Sequence, residues 1–201
     1  MENLVALAPE HHQATRVNKA KAEAHGADIN LLPVVVEEFT HVALEQPIVL
    51  SKNGDTGEFV FVALLGFEAR ENLFWHNHQW QGIYLPLQLQ RQPFFVGQLD
   101  DNNDQEYQVC INHASPAVIK DRQDADYENS EPLYHQDQQE SEYLQQAKSV
   151  LAHLLKGKQQ NQQLLKSLSQ YELIRPLSLE ITFANQESRQ LSGLYTLDQE
   201  K

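Results

Sequence analysis

The chain has 201 residues, 41% hydrophobic and 21% charged, with a formal net charge of −13; that is enough to bury a core, and ordinary for a globular protein. An acid-rich surface repels phosphate backbones and anionic headgroups, which argues against nucleic acid and membrane surfaces as partners. Cys110 is the single cysteine, no stretch reaches the ~20 apolar residues of a bilayer span, and the N-terminus lacks the basic and long apolar regions of a signal peptide, so a reducing, cytoplasmic setting is expected.

Residues 1–30 are polar and rich in Ala and His, and predict loose or partly helical chain. Residues 31–36 are apolar with Pro33 among them. The valines favour a strand, and the proline, with no N–H to donate, places it at a sheet edge or a strand start. Residues 37–44 bring Phe39, Val42 and Ala43 to one side at helical spacing and predict a short helix. The clearest signal follows. Ile48-Val49-Leu50 and residues 58–66 flank Asn53-Gly54-Asp55-Thr56-Gly57. Such residues tolerate positive φ, so a hairpin is predicted. The second run is apolar on both faces and predicts a central strand. A further hairpin is predicted from 72–75 to 80–85 across residues 76–79. Another joins 94–98 to 107–111 across the acidic turn at 100–104. Residues 112–136, with Pro116, Pro132 and many charges, predict a loop with a short element near 117–119.

From Asp137 the period changes. Tyr143, Leu144, Ala147, Val150, Leu151, Leu154 and Leu155 form one helical stripe, acidic near its start and with Lys156 near its end. Gly157 predicts a helix end or corner. The glutamines from 159 to 163 predict a solvated helix face or turn. Leu164, Leu165, Leu168 and Tyr171 form a second stripe, stopped by Arg175-Pro176. Residues 177–183 and 191–197 predict strands joined by a turn at 185–188. The expected fold class is α+β: one domain, mainly antiparallel sheet built of hairpins, covered on one face by a C-terminal helical pair and followed by a final β-hairpin.

The order of several segments resembles the SapC family of bacterial proteins. They are Pro33-Val34-Val35-Val36-Glu37-Glu38-Phe39, Pro47-Ile48-Val49-Leu50, Val62-Ala63-Leu64-Leu65-Gly66-Phe67 and Glu71-Asn72-Leu73-Phe74. Trp80, Tyr84-Leu85-Pro86, Arg91-Gln92-Pro93-Phe94, Cys110-Ile111 and Leu173-Ile174-Arg175-Pro176 continue the series. The resemblance spans residues 10–197 and is most specific over 63–94. His12 and Arg16-Val17 match the family's N-terminal pattern. The resemblance implies an association with a bacterial surface layer, from which the family takes its name. It also implies accessory proteins encoded near flavin-dependent halogenases and JmjC-like iron/2-oxoglutarate enzymes. It assigns no reaction. Many members carry a further C-terminal stretch after the position of Leu197.

Candidate chemistry is sparse. His76 and His78 alternate and would share one face of a strand, but two imidazoles are too few for a stable metal site, and a polar hairpin tip accounts for them. His135, Asp137 and His153 imitate a two-histidine, one-carboxylate iron set, yet Asp137 also suits a helix start. Cys110 reads as a buried structural cysteine, with His113 on the opposite face of its strand. His12 and Arg16 form a polar-site candidate, sharing a face if their stretch is helical. Glu71, Asn72 and Arg91 are polar within an apolar, β-rich context. They are the leading binding candidates, with Trp80 and Tyr84 as aromatic neighbours; alternatively Glu71 pairs with Arg70 or Arg91 and fixes a loop. No glycine-rich phosphate loop, nucleophile elbow or paired-cysteine motif is present, and no cofactor is predicted.

The leading expectation is a non-enzymatic binding or accessory protein with a protein partner, its contact surface around residues 71–95; homo-oligomerisation is left open. A metal-dependent enzyme of the iron/2-oxoglutarate type, motivated by nine histidines, is one alternative. A surface-layer structural protein is the other.

Overall fold

The structure, a computed structural model, describes residues 3–98 and 107–198. In chain order it forms β1 (Leu4–Ala6), α1 (Pro9–His12), β2 (Arg16–Val17), α2 (Lys19–Glu23), β3 (Leu31–Pro33), α3 (Phe39–Val42), β4 (Ile48–Lys52) and β5 (Phe59–Leu64). There follow β6 (Trp75–His76), β7 (Gln79–Trp80), α4 (Leu87–Gln90), β8 (Phe94–Gln98), β9 (Tyr107–Asn112), β10 (Val118–Ile119) and β11 (Glu131–Pro132). The long helix α5 (Glu142–Gln170) precedes β12 (Ile174–Thr182) and β13 (Ser188–Leu197). The class is α+β with antiparallel pairing, as expected. The predicted acidic turn at 100–104 lies outside the described residues.

The chain divides into two compact units, each made of two separated stretches. The first comprises Met1–His25 and Leu89–His153. Its sheets have the orders β1-β9-β8 and β10-β2-β11. Residues 3–25 carry the helices α1 and α2, the partly helical chain expected, together with the short strands β1 and β2. Val5 of β1 pairs with Ile111 of β9, and Pro9 sits in the first turn of α1, where a missing N–H costs nothing. Asn18 caps α2, its side chain accepting from the Lys21 N–H at 3.1 Å. The reason is tertiary: Val17 is fully buried with Phe94, Ile111, Leu133, Leu144 and Leu151. Each such side chain contributes about 1.5–3 kcal/mol, enough to order a polar segment around it.

The second unit comprises Gly26–Gln88 and Leu154–Lys201. Its five-stranded sheet has the order β12-β13-β4-β5-β3. The β4–β5 hairpin stands where turn chemistry places it; Asn53 Oδ1 accepts from the Asp55 N–H at 2.8 Å and Gly57 has φ 71°. β5 is interior and β3, with Pro33, is the edge, as predicted. Val49, Val62, Leu64, Leu191 and Leu194 form a buried cluster on this sheet.

The predicted helical pair is a single helix. α5 runs unbroken for 29 residues, about 44 Å at 1.5 Å per residue. Gly157, expected to end it, lies inside because Val35 packs against it; a Cβ at 157 would come 2.5 Å from the Val35 Cβ. One turn on, Asn161 straps the same segment, accepting from the Val36 N–H at 2.9 Å and donating to the Val34 carbonyl at 2.8 Å. Arg175-Pro176 does not stop the helix either. Glu172, at φ 53°, turns the chain, and the Leu173 N–H donates to the Leu168 carbonyl at 2.9 Å, the C-terminal lock normally built on glycine. Pro176 instead lies in β12, at the sheet edge where proline is tolerated.

Candidate functional site

Two regions gather the residues singled out above. In the second unit, Glu71 closes a turn. Its Oε2 accepts from the N–H groups of Phe67 at 2.6 Å and Glu68 at 3.2 Å. Gly66 makes this possible, since a Cβ there would lie 2.2 Å from the Glu71 carbonyl oxygen. Arg70 pairs with Asp28 rather than with Glu71. Asn72 is buried, donating to the Gly26 carbonyl at 2.7 Å and accepting from the Phe74 N–H at 2.9 Å. Both side chains thus hold backbone in place.

The same loop presents an apolar tip. Asn77 and His78 turn the β6–β7 hairpin with φ of 52° and 62°, so His76 and His78 lose the strand alternation that would align them. The Trp80 indole N–H donates to the Tyr84 carbonyl at 3.1 Å, and Phe74 stacks on Trp80. The Tyr84 hydroxyl donates to Glu38 Oε2 at 3.1 Å while its ring stacks on His41. Glu38 is only 2% exposed and also accepts from the Val35 and Leu87 N–H groups. Burial raises its carboxyl pKa and, with the neighbouring Glu38 charge, raises the Tyr84 phenol. The Ile83 N–H donates to Glu45 Oε2 at 2.6 Å. On this base Ile83 is 83% exposed, and Leu44, next to Glu45, is 70% exposed.

The remaining candidates belong to the first unit. Arg91 donates to the Phe94 carbonyl at 3.0 Å and lies over the Phe95 ring. His12 and Arg16 do not share a helix face, because α1 ends at His12 and Arg16 begins β2. His12 is fully buried; its Nε2 lies 3.0 Å from His113 Nε2 and its Nδ1 3.0 Å from the Ala8 carbonyl oxygen. Burial, with Lys120 and His12 nearby, lowers the His113 pKa.

Arg16 reaches a cleft of about 610 Å³ lined also by Gln13, Arg122, Tyr127, Tyr134, His135 and Gln136. The Arg16 Nε donates to Ser130 Oγ at 2.9 Å, Nη2 donates to the Ser130 carbonyl, and the guanidinium lies 4.8 Å from the Tyr127 ring centroid. Ser130 Oγ in turn donates to the Tyr127 carbonyl at 2.6 Å. Neither Arg122 nor the tyrosines carried a sequence signal, being scattered through residues 112–136, read as loop. The strands that gather them, β10 and β11, are two residues each, and both pair with β2.

Among the described residues no three His, Cys, Asp or Glu side chains converge to hold a metal ion. His135, Asp137 and His153 are not brought together: Asp137 caps its own turn, accepting from the Gln139 N–H at 3.1 Å, and His153 lies within α5. Cys110 is half-buried rather than enclosed. No helix among the described residues is long and apolar enough to cross a membrane. The SapC family model matches residues 7–201. No curated protein and no solved structure matches the chain.

Proposed function

The chain belongs to the SapC family, and from that premise we propose that it is a non-enzymatic accessory protein that docks a partner protein through the face carrying Ile83 and Leu44. One observation carries this reading: Ile83 stands 83% exposed on a loop tied down on both sides. A β-branched side chain fixed in water by such a base is pre-organised for burial against another surface, so little ordering entropy remains to oppose binding. Trp80 and Tyr84 act as supports, with Glu71 and Asn72 bracing the loop before them.

The partner that fits presents an apolar socket with a basic rim. Glu45 sits beside the tip and the chain as a whole carries a net charge of −13, so a basic partner is steered toward it. Flavin-halogenase and JmjC-like systems, which the family resemblance nominates, are the first partners to try.

The test is a quantitative pull-down of such a partner, comparing the wild-type chain with Ile83→Ser and Leu44→Ser. Loss of a central anchor weakens docking by about 2 kcal/mol, or roughly thirtyfold. Unfolding midpoints are expected to stay put, because both side chains already face water. Undiminished capture by both variants would refute the docking face. Self-association lost in the same variants would replace the foreign partner by a second copy.

A further inference from the structure

The cleft beside β2 is a separate feature, and its lining carries arginines without carboxylates. Asp and Glu outnumber Lys and Arg by 28 to 15 overall, yet the cleft is lined by Arg16 and Arg122 with no carboxylate among its lining residues. We propose that this cleft binds a small organic oxyanion, a carboxylate or a phosphate, held by Arg16 and Arg122.

Arg16 is the built half of the site. It sits on the central strand of a three-stranded sheet, paired with Ile119 and Pro132. Ser130 fixes two of its nitrogens and Tyr127 supports its face. Its Nη1 has no acceptor among the described residues and presents an N–H edge of the fork that matches an oxyanion. Because the guanidinium is already immobilised, engaging a ligand costs it little further side-chain entropy.

Arg122 is exposed and has no ion pair among the described residues, so it is available to close on the same ligand. Tyr134 and His135 add polar groups to the wall. The Tyr134 phenol is neutral at pH 7 and offers an O–H donor; burial, and then the charges of Glu140 and Glu10, raise its pKa further. Gln13, whose Nε2 donates to the Gln136 carbonyl at 3.0 Å, ties α1 to the far loop of the cleft. A volume of about 610 Å³ falls in the range of small-molecule sites.

The proposal involves a different surface from the docking face, so either can fail alone. The experiment titrates citrate and inorganic phosphate separately into the full chain at constant ionic strength, by calorimetry and by the NMR signals of the arginine Nε–H groups. Saturable binding that shifts the Arg16 signal is expected, and preference for citrate or for phosphate identifies the oxyanion. Arg122→Gln is expected to weaken binding about tenfold, the worth of one charge-assisted hydrogen bond, with an unchanged unfolding midpoint. Arg16→Gln is expected to weaken it further. Shifts that never saturate with either anion, or affinity retained in both variants, would overturn the proposal.

Discussion

Glu38 is a carboxylate drawn out of water and compensated by three donors, from Val35, Leu87 and Tyr84. Burial is the dominant influence, and it lifts the pKa above the ordinary 4.5 despite those donors. In the window between the ordinary and the raised value, the folded chain holds a proton that the unfolded chain has released. The stability tied to this proton is complete below the ordinary value and is lost as pH rises through the raised one. Glu38→Gln, which cannot ionise, is expected to remove that dependence. The difference in urea midpoint between variant and wild type should therefore move in the variant's favour as pH increases across the window, then level off. A constant difference would show that the Glu38 charge is not the cause. Glu38→Ala leaves two backbone N–H groups without their acceptor and is expected to cost about 2 kcal/mol or more at any pH. Little of this was legible beforehand. Glu38 lies inside a segment that resembles the family's pattern, but nothing in its neighbours along the chain says that Leu87, far downstream, donates to it.

At the scale of elements, α5 shows how a local rule is overridden. Glycine in a helix interior costs about 1 kcal/mol relative to alanine, so Gly157 reads as an end. Here the close approach of Val35 reverses the preference. Gly157→Ala should gain that propensity term and lose more, about 1–3 kcal/mol, by forcing a methyl group against a stiff β-branched neighbour. A net fall in thermal midpoint is the expected result; a rise would mean that the helix and residues 34–36 can separate at no cost. The β4–β5 hairpin was legible because Asn53 and Gly57 carry their conformational preference within four residues. β8 and β9 were legible through composition. β10 stands where a short element is expected near 117–119, but the two-residue strands β2 and β11 carry no such signal, because each is ordered by pairing with distant chain. Arg16 was therefore picked out only by its family pattern, and Arg122 and Tyr134 not at all.

For the whole molecule, the decisive feature is that neither unit is a continuous stretch of sequence. Residues 26–88 supply β3, β4 and β5, but the sheet they belong to is completed by β12 and β13. A fragment limited to residues 26–88 is expected to show no cooperative thermal transition, because Leu191 and Leu194, two of the five residues of the buried cluster, are missing. A sharp transition in that fragment would show that the hairpin and β3 suffice. The same interleaving governs synthesis. A chain leaving the ribosome delivers β4 long before β13, its neighbour through the Leu50–Tyr195 pair. Until β13 emerges, one side of β4 offers unsatisfied N–H and C=O groups to any other nascent chain. Slow translation across the intervening codons therefore lengthens the time for which that edge is open to aggregation.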